Sequence, residues 1–283
     1  MNILITGAGG FIGSHLYNCL KNEHEVYRVF SHKYKSTSQK TFCIDLTNTM
    51  EVEELIEHLS KEKKIDVVLH LASKLVSINH SNDVSILFDN IRITNSIVDL
   101  IIKIKPKKLI NFSTIGVYPN ISGTFNEESR ISTAENYECI YGLSKICSEN
   151  LFSYQIKENT QVVHLRLSQV YGDGMRKDRI ISIMKDELFN TNCINVHGNG
   201  QRVSNFISIE KLLSIINVFL LRKVNGVYNI GDENKTYLDL AIELIKKYGN
   251  NSSKIEKIEK GSRSKFYLDI SKLNNFLQMY QLN

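Results

Sequence analysis

The chain has 283 residues, of which 42% are hydrophobic and 23% charged, and its formal net charge is +5. This balance is ordinary for a globular protein and excludes collagen-like, low-complexity and wholly disordered classes. The small basic excess is compatible with an anionic substrate but too weak to indicate nucleic-acid binding, so we expect no nucleic-acid partner.

Residues 1–172 alternate short apolar runs with longer amphipathic stretches. The runs lack the alternation of half-exposed strands, which is typical of strands buried on both faces of a parallel sheet. The predicted strands are Asn2–Thr6, Glu25–Phe30, Thr41–Ile44, Val67–Leu71, Lys108–Phe112 and Gln161–Leu167. The predicted helices between them are Phe11–Lys21, Met50–Lys61, Val84–Lys103 and Tyr141–Lys157. This order predicts an α/β fold with a Rossmann-type, doubly wound parallel sheet.

The sequence changes character after Gly172. Glycine-containing loops separate the predicted helices Ile180–Phe189, Glu210–Leu221 and Leu238–Tyr248. We interpret residues 1–172 as a dinucleotide-binding domain and residues 173–283 as a small α/β lobe that binds substrate over the carboxyl edge of the sheet. The chain could cross back between these two parts.

Membrane and export signals are not evident in the sequence. No apolar run approaches the roughly 18–20 residues needed to span a bilayer, so we expect no membrane insertion. The N-terminus lacks the basic region of a signal peptide and reaches a glycine turn almost at once. The five cysteines are odd in number and have no CxxC spacing, which indicates reduced thiols and no metal site. These features predict a cytoplasmic protein.

A glycine-rich turn, TGAGGFIG at residues 6–13, follows the first predicted strand and opens the first helix. Gly7 permits a tight turn, Gly10 lets the backbone approach a pyrophosphate, and Gly13 allows the helix to pack closely on the strand. The N-terminus of the helix favours the anion. The turn therefore predicts dinucleotide binding, with GxxGxxG spacing in place of GxGxxG.

The residues at the end of the second strand should contact the adenosine ribose of the cofactor. Phe30 stands where an Asp or Glu would accept from the 2′-hydroxyl of NAD. Ser31, His32 and Lys33 could instead hold a 2′-phosphate, so NADP(H) is favoured and NAD(H) is the alternative. The alternative interpretation of these residues is a solvated basic loop that contacts no cofactor. At the end of the fourth strand, Ser73 closes the segment HLAS beside the cofactor ribose.

A tyrosine and a lysine lie four residues apart at the start of the fourth predicted helix, in the segment YGLSK at 141–145. The lysine lies one turn away on the same face, where its ammonium would lower the pKa of the tyrosine and let the phenol exchange protons near neutral pH. Upstream, Thr114 ends the fifth strand. There its hydroxyl would hydrogen-bond the reacting oxygen opposite Tyr141.

In this order the motifs resemble those of the extended short-chain dehydrogenase/reductases, the NAD-dependent epimerase/dehydratase family that acts on nucleotide sugars. The matching segments are TGxxGxxG at 6–13, ST…VY at 113–118, YxxxK at 141–145, LRLSQVYG at 165–172, and GNG at 198–200 followed by FISIE at 206–210. The resemblance implies a catalytic triad of Thr114, Tyr141 and Lys145. Tyr141 would be the acid/base while the nicotinamide exchanges hydride with the sugar.

The resemblance also implies binding residues. Those for the cofactor are Gly7, Gly10, Phe11, Ile12, Asp45, Leu46, Leu71, Ala72, Tyr141 and Lys145. Gln169 replaces the asparagine that touches the nucleotide diphosphate. Asn90 matches an asparagine that opens the family's fourth helix, which implies a substrate-binding role. The alternative is a purely structural role as the N-cap of the helix. The family's phosphate-binding arginine is missing at position 204. Arg202 or Arg263 could take its place, and the alternative for each is a solvated charge on the surface.

Departures from the family pattern narrow the range of activities that we expect. Ile115 and Gly116 follow Thr114 where the 4,6-dehydratases carry Asp-Glu, so a dehydratase is disfavoured. Because Phe30 replaces the ribose acid, we favour NADPH-dependent reduction of a keto group on a nucleotide-linked deoxyhexose. A nucleotide-sugar 4-epimerase with tightly bound NAD is the alternative, and an inactive cofactor-sensing Rossmann protein is a third. The family further suggests a homodimer and a role in polysaccharide biosynthesis.

Overall fold

The computed structural model describes residues 1–31, 38–61, 64–75, 83–156 and 159–281. The strands are β1 (Asn2–Thr6), β2 (Glu25–Phe30), β3 (Thr41–Cys43), β4 (Val67–His70), β5 (Lys108–Thr114), β6 (Gly123–Phe125), β7 (Gln161–Leu167), β8 (Gln169–Tyr171), β9 (Cys193–His197), β10 (Val203–Ser208), β11 (Gly226–Ile230), β12 (Glu233–Thr236), β13 (Lys254–Ile258) and β14 (Phe266–Leu268). The helices are α1 (Phe11–Leu20), α2 (Thr49–Lys61), α3 (Ser85–Ile104), α4 (Cys139–Gln155), α5 (Ile180–Thr191), α6 (Ile209–Leu221), α7 (Tyr237–Tyr248) and α8 (Ser271–Gln281).

Seven strands form one parallel sheet in the order β11-β7-β5-β4-β1-β2-β3. The apolar runs form these strands because helices cover both faces: α1, α6 and α8 pack on one, and α2, α3 and α4 on the other. Every residue of β4 is buried, as is every residue of β5 except Thr114. The predicted doubly wound Rossmann-type fold is confirmed.

The chain crosses back to this sheet after the smaller lobe has begun. Strand β11, at 226–230, lies beyond the division predicted at residue 172 and pairs with β7. The lobe is built from smaller sheets, β12-β10-β8, β13-β9 and β14-β6, with α5 and α7. Met184 and Phe206 are among the buried residues of its core. Ser168 alone separates β7 of the main sheet from β8 of the lobe, so the lobe begins directly at the carboxyl edge of the main sheet.

The direction of strand addition reverses at β1, because β2 lies on one side of it and β4 on the other. In open α/β sheets ligands bind at such a switch point, beyond the carboxyl ends of the strands. Thr6 and His70, the last residues of β1 and β4, are paired in register there. In the part of the chain that the structure describes, no helix is both long and apolar enough to cross a membrane.

Candidate active site

The glycine turn after β1 brings three backbone segments into close contact. Gly7 has a φ of +71°, and a Cβ added to it would lie 2.7 Å from the Ala72 amide nitrogen. A Cβ on Gly13 would lie 2.4 Å from the Gly7 carbonyl oxygen. Gly10 is the N-cap of α1 and provides no side-chain cap. Only glycine fits this cradle, and an uncapped helix N-terminus beside it fits the pyrophosphate of a dinucleotide.

Predicted cofactor contacts from β4 lie directly beside this turn. The Leu71 amide donates to the Thr6 carbonyl oxygen at 3.2 Å, and the Ala72 amide donates to Thr6 Oγ1 at 3.3 Å. Thr6 Oγ1 also lies 2.8 Å from His70 Nδ1. Burial, and secondarily the charge of Lys145, lowers the pKa of His70 to about 3, so this imidazole is neutral.

The adenosine end of the predicted site is only partly described. Phe30 is half-buried at the end of β2, and Ser31 beyond it is exposed. His32 and Lys33, the other groups proposed for a 2′-phosphate, lie outside the described residues. The predicted family contacts Phe11 and Ile12 open α1, half-buried against the core beneath the turn.

Asp45 and Leu46 follow β3, next to the end of β2 in the sheet. Asp45 Oδ1 accepts from the Thr47 amide at 2.9 Å and from the Thr47 hydroxyl at 2.8 Å, so its carboxylate shapes a turn. Leu46 is buried in the core on the α2 side. Both predicted contacts therefore lie at the carboxyl edge, in line with the glycine turn.

The catalytic side chains predicted on β5 and α4 lie at the same edge. Thr114 ends β5 and caps a single 3-10 turn at 115–117, where its Oγ1 accepts from the Gly116 amide at 3.1 Å. Helix α4 packs onto that turn so closely that a Cβ on Gly142 would lie 2.5 Å from the Gly116 carbonyl oxygen. Asn136 Nδ2 donates to the same oxygen at 3.1 Å. This docking brings the first turn of α4, with Tyr141, against the end of β5.

Tyr141 and Lys145 share one face of α4, as the YxxxK spacing predicts. The Lys145 Nζ lies 5.5 Å from the Tyr141 ring centroid. Burial raises the pKa of Tyr141 to about 12, although a hydrogen bond with Ser73 opposes the shift. The predicted lowering of this pKa is therefore wrong, because desolvation of the phenolate outweighs the opposing influences. Lys145 is itself buried, which lowers its pKa to about 8.

Three charged residues near Tyr141 were not singled out from the sequence. The charge of Glu138 raises the pKa of Tyr141, whereas Arg179 and Arg176 lower it. Glu138 Oε1 lies 3.3 Å from Arg179 Nη1, an ion pair that joins the start of α4 to the start of α5. Arg176 Nε donates to Asp178 at 3.0 Å. No motif spacing marks these residues, because Arg176 and Arg179 belong to the irregular segment before α5, and Glu138 is the N-cap of α4.

Asn90 lies inside α3, five residues after the helix begins at Ser85, so the N-cap alternative is wrong. Its Oδ1 accepts from the Lys74 amide at 2.7 Å, and its Nδ2 donates to the Lys74 carbonyl oxygen at 2.9 Å and to Ser144 Oγ at 3.2 Å. The side chain is 5% exposed. In this geometry Asn90 ties the segment after β4 to α4, which positions Ser73 beside Tyr141.

The other predicted substrate residues belong to the lobe. Gln169 begins β8, and its Nε2 donates to Ser204 Oγ at 2.9 Å. The Arg202 guanidinium lies 5.3 Å from the ring centroid of Tyr237. Arg263 is exposed and forms a 3.7 Å ion pair with Glu259. These three predicted residues thus have protein partners of their own, and each is accessible at least in part.

The glycine cradle, the Thr-Tyr-Lys constellation and the doubly wound sheet agree with a family assignment from sequence. The chain belongs to the NAD dependent epimerase/dehydratase family, whose model matches residues 3–231. The family resemblance predicted from the motifs is thereby confirmed.

Two relatives of known name are 4,6-dehydratases, and one of them has two further activities. A dTDP-D-glucose 4,6-dehydratase of Dictyostelium discoideum is 30% identical over 267 residues, which cover 86% of this chain and 61% of that protein. A trifunctional UDP-glucose 4,6-dehydratase/UDP-4-keto-6-deoxy-D-glucose 3,5-epimerase/UDP-4-keto-L-rhamnose-reductase of Arabidopsis thaliana is 25% identical over 299 residues, covering 96% of this chain and 44% of that protein. The chain thus spans less than two thirds of both relatives.

A solved structure of similar fold is the UDP-glucuronic acid 4-epimerase from Bacillus cereus in complex with UDP-glucuronic acid and NAD. It is 27% identical, with a TM-score of 0.80, and the match covers 98% of this chain and 93% of that one. These comparisons support a nicotinamide dinucleotide cofactor and give no support to a preference for NADP. They also give no support to the expectation that a dehydratase is disfavoured, since the amoebal relative is named as one.

Proposed function

We propose that the protein is an NAD-dependent nucleotide-sugar 4-epimerase. The observation that carries the proposal is the docking of α4 against the end of β5, which gathers Thr114, Tyr141 and Lys145 at the edge that holds the glycine cradle. The B. cereus 4-epimerase, bound to NAD and a UDP-sugar, supports this choice over the reductase that the sequence alone favours.

The side chains suit reversible oxidation of a hydroxyl group. Tyr141 would accept the proton of the sugar hydroxyl and return it later, while Thr114 hydrogen-bonds the reacting oxygen. A bound NAD would supply hydride exchange with the sugar and a positive charge. Lys145 would hold the nicotinamide ribose, and its ammonium, 5.5 Å from the Tyr141 ring centroid, would stabilise the phenolate that burial disfavours.

The two residues after Thr114 argue against a dehydratase activity. Ile115 packs at the edge of a small apolar cluster, and Gly116 has no side chain to extend. Neither group can protonate a leaving hydroxyl, which is why we rank a 4,6-dehydratase below an epimerase. Glu138 acts on Tyr141 through its charge but is engaged with Arg179.

One observation favours a second candidate, an NADPH-dependent reductase of a nucleotide-linked keto sugar. Phe30 occupies the end of β2, where a carboxylate would select the 2′-hydroxyl of NAD, and the exposed Ser31 follows it. A reductase consumes its dinucleotide at every turnover, whereas an epimerase regenerates it. The two candidates therefore differ in how the cofactor is retained.

The experiment that tests the proposal identifies the dinucleotide released when the purified protein is denatured, and then the products formed from UDP-glucose and UDP-glucuronic acid. We expect close to one NAD per chain and the 4-epimer as product. An empty protein that binds NADPH more tightly than NADH would replace the proposal with the reductase. A 4-keto-6-deoxy product would replace it with a dehydratase.

We further propose that residues 173–283 bind the nucleotide part of the substrate, with Gln169 and either Arg202 or Arg263 at the diphosphate. A homodimer through α3 and α4 is supported by large apolar residues exposed on these helices: Phe88, Leu143 and Tyr154. Light scattering that returned only the mass of one chain, 32.4 kDa, at micromolar concentration would contradict the dimer. A cytoplasmic location and a role in polysaccharide precursor synthesis complete the proposal.

A further inference from the structure

A buried ion pair lies one helical turn behind Lys145. Glu149 Oε1 accepts from Arg166 Nε at 3.1 Å, and Oε2 accepts from Arg166 Nη2 at 2.8 Å. The two side chains are only 6% and 4% exposed, respectively. Ser113, next to Thr114 on β5, donates its hydroxyl to Glu149 Oε1 at 2.5 Å. The carboxylate is therefore fixed from two strands of the sheet.

Further hydrogen bonds fix the arginine. Arg166 Nη1 donates to the Tyr118 hydroxyl at 2.9 Å, and that hydroxyl donates to Asn229 Oδ1 at 2.8 Å. Asn229 lies on β11, is fully buried, and donates its Nδ2 to the Phe125 carbonyl oxygen at 3.3 Å. The network thus runs from α4 across the sheet to the start of the lobe. It leaves the Glu149 carboxylate little freedom to turn away from its helix.

Stability is a weak reason for such a pair, because removing two charges from water costs about as much as their attraction returns. Lys145 is the functional group that responds to this carboxylate. Burial lowers the pKa of Lys145, and the negative charge of Glu149 opposes the lowering. A lysine four residues before a glutamate on one helix lies on the same face and within reach of its field.

Three titratable groups near Lys145 or Glu149 stay uncharged over the relevant range. Burial lowers the pKa of His70 on β4 to about 3 and that of His164 on β7 to about 4. Tyr141, with a pKa near 12, remains protonated below that pH. Helix α3 faces the small cavity beside Lys145 with two uncharged polar residues, Asn90 and Thr94. Among these described neighbours, Glu149 supplies the negative charge and Arg166 the compensating positive one.

We propose that Glu149 is a positioning residue for Lys145: its buried carboxylate, one helical turn further along α4, keeps the ammonium charged at the reaction centre. The inference rests on the proposed function only in assigning Lys145 to the dinucleotide. Sequence reasoning missed this residue, although Tyr141, Lys145 and Glu149 follow one another at intervals of four along a single helix face.

The test measures dinucleotide affinity as a function of pH. Each protein is first freed of any dinucleotide that it retains. NADH fluorescence titrations between pH 6 and 10 then compare the wild type with Glu149→Gln, which keeps the shape of the side chain and removes its charge. NADPH is the probe if the protein binds it more tightly. In the wild type, we expect affinity to fall above about pH 8, as Lys145 loses its proton. In Glu149→Gln, the midpoint of this fall should move down by about one to three pH units.

Matched variants separate charge from architecture. Ser113→Ala removes a hydrogen bond to the same carboxylate but not its charge, so its midpoint should stay at the wild-type value. Glu149→Asp should restore that midpoint, and Lys145→Met should give weak affinity that no longer changes with pH. Arg166→Gln removes the compensating positive charge, so it should move the midpoint upward, and it tests the inference even if Glu149→Gln does not fold.

A wild-type midpoint in folded Glu149→Gln, or equal shifts in Glu149→Gln and Ser113→Ala, would overturn the positioning role. A downward shift in Arg166→Gln would overturn it as well. Because these titrations need no sugar, they remain decisive for a protein that does not epimerise its substrate. Failure of the proposed function and failure of this inference are thus distinguishable.

Discussion

The two edges of the central sheet each bury a lysine in a different setting. At the amino edge, Lys108 begins β5. Its ammonium donates to three carbonyl oxygens at the end of α6: those of Phe219 at 2.5 Å, Leu220 at 3.1 Å and Arg222 at 2.6 Å. At the carboxyl edge, Lys145 lies over the Tyr141 ring, 5.5 Å from its centroid. Burial lowers the pKa of both lysines to about 8.

The difference shows how one fold separates stability from chemistry. Lys108 satisfies carbonyls that would otherwise be unpaired at a helix end, so its burial is compensated within the protein. Lys145 is compensated only in part, by the charge of Glu149 one helical turn away, and it lies beside Tyr141 in the candidate site. Lys108, at the amino edge, therefore joins the sheet to the end of α6, whereas Lys145, at the carboxyl edge, lies where open α/β sheets bind ligands.

The largest expected effect is on turnover. Tyr141→Phe should lower kcat by about 10²- to 10⁴-fold, because the phenol is the proposed acid/base. Dinucleotide affinity should change little, since the ring is kept. Steady-state kinetics and NADH titration measure the two. Tyr154→Phe on the exposed face of the same helix is the matched control, and a Tyr141→Phe enzyme as active as this control would contradict the assignment.

A second comparison tests the cradle with one substitution at each edge. Gly7 at the carboxyl edge and Gly226 at the amino edge both have positive φ, of +71° and +96°. An added Cβ meets the Ala72 backbone at Gly7 but nothing within 4 Å at Gly226. Gly7→Ala should therefore lower dinucleotide affinity by more than about 100-fold, or prevent folding, whereas Gly226→Ala should cost only the strain of about 1–2 kcal/mol. Calorimetry measures the stability of the two variants, and NADH titration measures their affinity. Equal losses of stability and affinity in both variants would contradict a cofactor-binding role for Gly7.

The two lysines should respond in opposite directions to replacement by Met. The folded pKa of Lys145, about 8, lies below the ordinary 10.5, so the unfolded state binds more protons between these values and stability rises with pH across that window. Below pH 8 the charged lysine therefore destabilises the fold. Lys145→Met should stabilise the dinucleotide-free protein at pH 7 by about 1–3 kcal/mol, since each pKa unit is worth about 1.4 kcal/mol.

Lys108→Met should instead destabilise the protein by about 1–3 kcal/mol, because it leaves the α6 carbonyls unpaired. Thermal unfolding at pH 7 and pH 10.5 measures both changes. The advantage of Lys145→Met should be almost lost at the higher pH, where the wild-type lysine is neutral in the folded state and half deprotonated in the unfolded state. A Lys145→Met protein less stable than the wild type at pH 7 would show that this lysine, too, is structural.

The smallest effects are expected in the lobe. Arg202→Ala and Arg263→Ala each remove an accessible guanidinium, and the one that binds the substrate diphosphate should raise KM by about tenfold, the equivalent of one charge-assisted hydrogen bond. Its kcat should change less. Neither variant should alter dinucleotide affinity. If both leave KM unchanged, the diphosphate is bound elsewhere, and Arg176 and Arg179 become the next candidates.

The carboxyl edge was largely predictable from sequence because its features are local. Continuous apolar runs mark the buried strands, and the glycine turn and the YxxxK spacing lie within single segments of chain. Predicted element ends fall within about two residues of those in the structure, the usual uncertainty at frayed termini.

Features made by distant residues were not predictable in this way. Strand β12, at 233–236, reads ENKT and has no apolar signal; it forms because β10 offers a pairing edge. The ion pair of Glu149 with Arg166 joins a helix to a strand through side chains alone. The pKa of Tyr141 was predicted in the wrong direction because its burial depends on the packing of α4, which spacing does not reveal.

The most direct test of the proposed epimerase follows a UDP-hexose carrying deuterium at carbon 4. The protein, with the dinucleotide it retains and no added reductant, is incubated with this substrate, and the products are examined by NMR. We predict the 4-epimer with deuterium still at carbon 4, since the same face of the cofactor takes the label and returns it. Deuterium at carbon 6 of a 4-keto-6-deoxy sugar, or no conversion by a protein that reduces a keto sugar with NADPH, would contradict the proposal.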